Sequence, residues 1–134
     1  MRKPSSSSWE QRLRALLSRP NVRDLYEGLR DLLDRLIADL EPLAVIIAGS
    51  LARGAFVRGM SDIDVLVITG EPPDKWARFK LKNVRGVDVE ITVFGLEEAI
   101  GSAEMGNFFI LDALKNGVVI YGRIPPELKA LISG

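Results

Sequence analysis

Two aspartates two residues apart, Asp62 and Asp64, head a run of aliphatic and β-branched residues that closes at Thr69. In a strand, side chains at i and i+2 leave the same face, so both carboxylates project together. Carboxylates held that close repel and resist double ionisation, and a divalent cation removes the cost. By the same period, Asp88 and Glu90 share one face of the run Val87 to Phe94. Beside the first strand, either would add a third acid to Asp62 and Asp64. Upstream, the apolar run Leu43 to Ala48 breaks at Gly49-Ser50. Glycine lets backbone approach a ligand closely, and a helix starting there offers unpaired N–H groups, an arrangement that suits phosphates. The turn is not a P-loop: Gly49 and Gly54 have the right separation, but Ala55-Phe56 stands where Lys-Ser/Thr is required. Nor is it a nucleophile elbow, since Gly-x-Ser-x-Gly is absent.

Composition narrows the chemistry further. The chain has 134 residues, 18 Lys+Arg against 18 Asp+Glu, and neither cysteine nor histidine. Disulfides, thiol nucleophiles, imidazole bases and ordinary zinc sites are excluded. Carboxylates must do any catalytic work, and they favour hard cations such as Mg²⁺ or Mn²⁺. The length suits one domain. The longest apolar stretch, Leu43 to Ala48, is far short of a membrane span, and Arg12 and Arg14 prevent a signal-peptide core after the basic start. A cytoplasmic protein is the expectation. Zero net charge conceals a basic N-terminal and an acidic C-terminal part, most simply read as solvated helix faces. The run Lys75, Arg78, Lys80, Lys82 and Arg85, interleaved with Trp76 and Phe79, has the composition of a nucleic-acid groove. It equally fits an edge strand or loop guarded by charge, which is the preferred reading; nucleic acid is not strongly indicated.

The elements that must position these residues follow from periodicity. Ser8 with Gln11 is a capping-box pattern opening a helix to about Ser18. Asn21 is placed to cap a longer one, whose apolar residues from Val22 to Leu40 form one stripe ending before Pro42. Strands are predicted over 43–48, 62–69 and 87–94, helices from Leu96 and from Asn107, a short strand over 118–121, and a helical turn at Pro125-Pro126. The sum is an α/β (α+β) domain with a small mixed sheet and helices packed on one face. The expected organisation is an N-terminal helical extension (1–20), a catalytic domain (21–122) and a C-terminal helical tail (123–134).

Gly49-Ser50-Leu51-Ala52-Arg53-Gly54, followed by Ser61-Asp62-Ile63-Asp64-Val65-Leu66-Val67, resembles the signature of polymerase-β-like nucleotidyltransferases. More narrowly it is similar to the minimal nucleotidyltransferase (MNT) proteins. The similarity runs over roughly Leu25 to Gly122 and takes in Val89 to Phe94, the following Glu97-Glu98, and Leu114 to Gly122. The resemblance implies transfer of a nucleoside monophosphate, AMP foremost, from an NTP to an acceptor hydroxyl. It implies two Mg²⁺ ions (or Mn²⁺) held by Asp62, Asp64 and a third carboxylate, with Gly49, Ser50 and Arg53 at the phosphates. Glu90 is ranked first as the third carboxylate and Asp88 second. Arg53 has the alternative of a surface salt bridge, and Arg58 carries a weaker claim on phosphate.

Three functions remain in play. One is a catalytic nucleotidyltransferase acting on a protein or small-molecule hydroxyl. Another is an antitoxin-like binding module paired with a HEPN-type protein, as the resemblance to MNT implies; a homodimer is a further option. The last is a catalytically silent scaffold of the same fold.

Overall fold

The computed structural model describes residues 8–133. The basic start and the head of the serine tract lie outside them. Helix α1 (Ser8–Leu16) comes first, then a 3-10 turn at Arg23–Leu25 and helix α2 (Tyr26–Leu40). Asn21 does not cap α2. It donates its side-chain amide to the Phe56 carbonyl at 3.2 Å, fixing a distant loop. The helix ends as expected before Pro42, with Glu41 in the left-handed region.

Strand β1 (Ala44–Ala48) leads into the one-turn helix α3 (Gly49–Ala52), and β2 (Ile63–Thr69) follows. The lysine-rich stretch then forms strand β3 (Phe79–Val84), joined by a tight turn to β4 (Val87–Gly95). Helices α4 (Leu96–Glu104) and α5 (Phe108–Asn116), strand β5 (Val118–Gly122) and helix α6 (Pro126–Ile132) complete the chain. Asn107 caps α5, its side chain accepting from the Ile110 N–H at 3.2 Å.

The sheet order is β3-β4-β2-β1-β5. Only β2 and β4 run parallel; their other neighbours are antiparallel. The α/β class with a mixed sheet is thus as expected. The helices, however, cover both faces rather than one. Val45, Ile47, Val65, Val67 and Ile91 pack beneath α1 and α2, while Ala44, Ile46, Leu66 and Ile68 pack beneath α4, α5 and α6. The physical reason is legible in β1: all five residues are buried, and a strand apolar on both sides needs cover on both.

Strand β3 lies at the open edge, exposed from Phe79 to Asn83. Two of the five cations of its region are spent internally. Arg78 forms a two-point bridge to Glu98 at 2.9 and 2.6 Å, and Arg85 reaches Asp24 at 3.0 Å. The stretch is therefore a charged edge strand.

Two glycines separate packing from helix propensity. A Cβ on Gly117 would strike the Ala113 carbonyl and come within 2.6 Å of Ile46 Cγ2 and 3.0 Å of the Ile47 carbonyl. Gly101, inside α4, faces open space. Chemical denaturation of Gly117→Ala is expected to show a loss of about 1–3 kcal/mol. Gly101→Ala should instead gain about 0.5–1 kcal/mol.

Candidate functional site

The site is built where β1 ends and β2 and β4 begin. In β1 and β2, Ala48 pairs with Asp64, which sets the start of α3 against that aspartate. Across the parallel pair, Asp64 is the register partner of Glu90. Neighbouring strands lie about 4.8 Å apart, so the two acids stand side by side on one face. Asp62, one residue before β2, shares their face and is exposed. Asp88 also lies on that face but further out; it is exposed and accepts from the Asn83 amide at 3.0 Å. Of the two candidates for a third carboxylate, Glu90 is therefore the one beside Asp64.

The acids feel one another. Burial, first, pushes the Asp64 carboxyl above its ordinary range; the Asp62 charge adds to this and Arg53 partly offsets it. Glu90 is raised too, by burial first, then by a hydrogen bond that its protonated form donates to Asp62, and by the charges of Asp64, Asp62 and Asp88. Groups so placed favour whatever cation can neutralise them, and an all-oxygen donor set suits a hard divalent ion. Among the described residues, though, no three acids are already gathered closely enough to cage an ion. The donor chemistry, all carboxylate oxygen, is of the kind that hard divalent ions take.

Gly49 faces this cluster with φ +66°, and a Cβ there would run into Asp64 Oδ2. Both the left-handed backbone and the close approach require glycine. The first N–H groups of α3 precede its first helical bond, from Arg53 N–H to the Gly49 carbonyl at 3.2 Å. The Ser50 hydroxyl is half-buried and has no side-chain partner among the described residues. Arg53 spans from α3 to α5, where it meets Asp112 at 3.2 Å. That salt bridge is exposed on the arginine side, and the same guanidinium still acts on Asp64. Arg58 is drawn elsewhere: it donates to both Asp24 oxygens at 2.8 and 3.0 Å and to the Asn21 carbonyl at 2.8 Å.

Several contributors lay beyond sequence reasoning because they are far apart in the chain. Asp112 holds Arg53 from 59 residues away. Asp24 bridges Arg58 and Arg85, which together hold its carboxyl down at about 2. Arg19 donates to the Gly54 carbonyl at 3.0 Å, and the Ser61 hydroxyl accepts from Val57 N–H at 2.9 Å. All these bonds settle the loop between Gly49-Ser50 and Asp62-Asp64. Only Ser61, next to the acid pair, carried a local signal.

The sequence model of the family described as "Nucleotidyltransferase domain" matches residues 29–120. Among solved structures, the fold is similar to that of a nucleotidyltransferase-like protein from Exiguobacterium sibiricum 255-15. The two share 17% identity and superpose with a TM-score of 0.55 over 79% of this chain. The chain spans 36% of that protein's length. No curated protein matches the sequence.

Because Asp64 is held above its unfolded value, ionising it opposes folding. That penalty is absent below the unfolded value and complete once pH exceeds the folded one. At pH 8 without divalent cations, Asp64→Asn is expected to melt above the parent chain. The gap should close as pH falls toward about 4. Thermal melts across that range check it, and an Asn variant that is less stable at every pH would contradict it.

Proposed function

Because the chain belongs to the nucleotidyltransferase domain family, we propose that it transfers a nucleoside monophosphate, AMP foremost, from an NTP to an acceptor hydroxyl. The observation that carries this reading is the junction of Gly49-Ser50 with Asp64 and Glu90 at the ends of three adjacent strands. Asp62, Asp64 and Glu90 would hold the divalent ions, Mg²⁺ or Mn²⁺, with Asp88 as the outlying substitute for Glu90. Such ions neutralise triphosphate charge and make a hydroxyl a better nucleophile near neutral pH.

The protein's own groups divide the remaining work. The N–H groups at Gly49 and Ser50, with the Ser50 hydroxyl, donate to the outer phosphates. The bare Gly49 Cα lets the Gly-Ser turn close directly against the Asp64 carboxylate. Arg53, steadied by Asp112, adds positive charge on the phosphate side of the cluster. The Glu90 side of the cluster faces the acceptor. With no histidine or cysteine, the chain relies on positioning and electrostatics rather than on a protein nucleophile.

The narrower kinship with MNT proteins forms part of the same proposal, and with it a partner of HEPN type or a second copy of the chain. One observation favours a partner. Met105 and Phe108, three residues apart at the turn between α4 and α5, are 90% and 79% exposed, two large apolar side chains together rather than one. A partner seated there would touch the helix that holds Asp112. Co-purification with the product of a neighbouring gene, weakened by Met105→Asp with Phe108→Asp, would support this. A strictly monomeric native chain in light scattering that retains no neighbouring product would oppose it.

Transfer is tested by incubating the chain with labelled ATP, GTP, CTP or UTP, Mg²⁺ and hydroxyl acceptors, including co-purified protein. Asp62→Asn, Asp64→Asn and Glu90→Gln should each lower transfer by about 10²-fold or more, as loss of a transition-state charge contact does. Asp88→Asn should change it by less than about tenfold. Mg²⁺-dependent ATP binding without transfer would leave a binding module. Absence of both would leave a scaffold.

A further inference from the structure

A second concave site lies beside α3, lined in part by Leu51 to Gly54 and by none of the clustered acids. It is a cleft of about 340 Å³, within the range of small-molecule pockets. One wall comes from the end of α1 and the linker after it, through Leu16, Ser18, Arg19 and Val22; the other comes from Leu51, Arg53 and Phe56. The first wall lies wholly before residue 29, where the nucleotidyltransferase domain match begins. Neither Gly49, Ser50 nor any acid of the cluster reaches it.

Its chemistry is lopsided. Two guanidinium groups, Arg19 and Arg53, line it, and no carboxylate does. Arg53 is already matched by Asp112. Arg19 is not matched: its bond goes to a neutral acceptor, the Gly54 carbonyl, and it meets no carboxylate among the described residues. Gly54 makes that seat. With φ +74°, a Cβ there would press on Arg19 Nη2 and Nη1 at 3.1 and 3.2 Å. The guanidinium lies on bare backbone, with N–H groups left to donate into the cleft. The apolar lining is shared between the walls, Leu16 and Val22 on one and Leu51 and Phe56 on the other.

We propose that this cleft binds a small organic anion, one carboxylate or phosphate group on a compact apolar body. The oxyanion is received by Arg19 and the body by the apolar part of the two walls. A planar guanidinium fork matches either oxyanion, and a single unmatched cation calls for one anionic group. The site also gives the N-terminal segment a role beyond packing. Arg19 and Asn21 hold the Gly54 and Phe56 carbonyls of the loop that joins the Gly-Ser turn to the aspartates. A ligand on Arg19 therefore sits on the strap that helps set the spacing between the Gly-Ser turn and the aspartates.

The full chain is titrated with benzoate, with phenyl phosphate and with neutral benzyl alcohol, followed by amide NMR shifts. Ligands this small are expected to saturate at millimolar concentration. The amides near residues 15–22 and 51–56 should shift. Either anion should bind at least about tenfold more tightly than the alcohol, and Arg19→Gln should remove that advantage. Ala15→Trp, at an exposed cleft position, should block binding without touching the arginine. Asp62→Asn with Asp64→Asn should leave it intact, so loss of nucleotidyl transfer and loss of this site are separable. Stronger binding of benzoate or of phenyl phosphate tells which oxyanion is preferred. No saturable binding of either, equal binding of the alcohol, or loss of binding in the double aspartate variant would overturn the proposal.

Discussion

Like charges crowded on one sheet face are the constraint from which the rest of the architecture follows. Asp64 and Glu90 are side by side because β2 and β4 run parallel and in register, and Asp62 completes the group from just outside β2. Left alone, this arrangement opposes folding: burial and mutual repulsion hold both Asp64 and Glu90 toward their protonated forms. The fold sustains it with apolar packing on both faces of β1 and β2. A domain that carries such a cluster is spending stability on a site, the pattern expected where a charged ligand restores it.

The second requirement is spacing. The Gly-Ser turn and the aspartates are joined by about ten residues with no regular structure, held internally by short local bonds such as Val57 N–H to Ser61 Oγ. Further bracing comes from the N-terminal side. Arg19 and Asn21 hold its carbonyls, and Asp24 grips Arg58 while also binding Arg85 of the β3–β4 turn. These surface bonds are individually weak, but they converge on one loop from three elements, which confines it more than any single pair would.

Much of the site was readable because its chemistry is periodic. Alternation put Asp62 with Asp64 and Asp88 with Glu90 on common faces, and the Gly49-Ser50 break marked where a strand must turn into a helix. What alternation left open was which second-pair acid stands next to Asp64. That depends on the register between two strands 26 residues apart, for which sequence carries no ruler. The register selects Glu90 and leaves Asp88 to Asn83. The same limit applied to Asn21. Its residue type suits a helix cap, yet a carbonyl from a distant loop claims its amide.

The sequence by itself determined the class of fold, most of its helices and strands, the exclusion of imidazole and thiol chemistry, and the acids available for work. These are properties of composition and of short-range periodicity, which a linear chain carries intact. The tertiary structure decided the covering of both sheet faces, the choice of neighbour for Asp64, the partners of Arg53 and Arg58, and the cleft between α1 and α3. Each depends on which distant segments meet. Such meetings are set by packing of the whole core, where a buried face can be satisfied by any complementary surface and only the folded chain selects one.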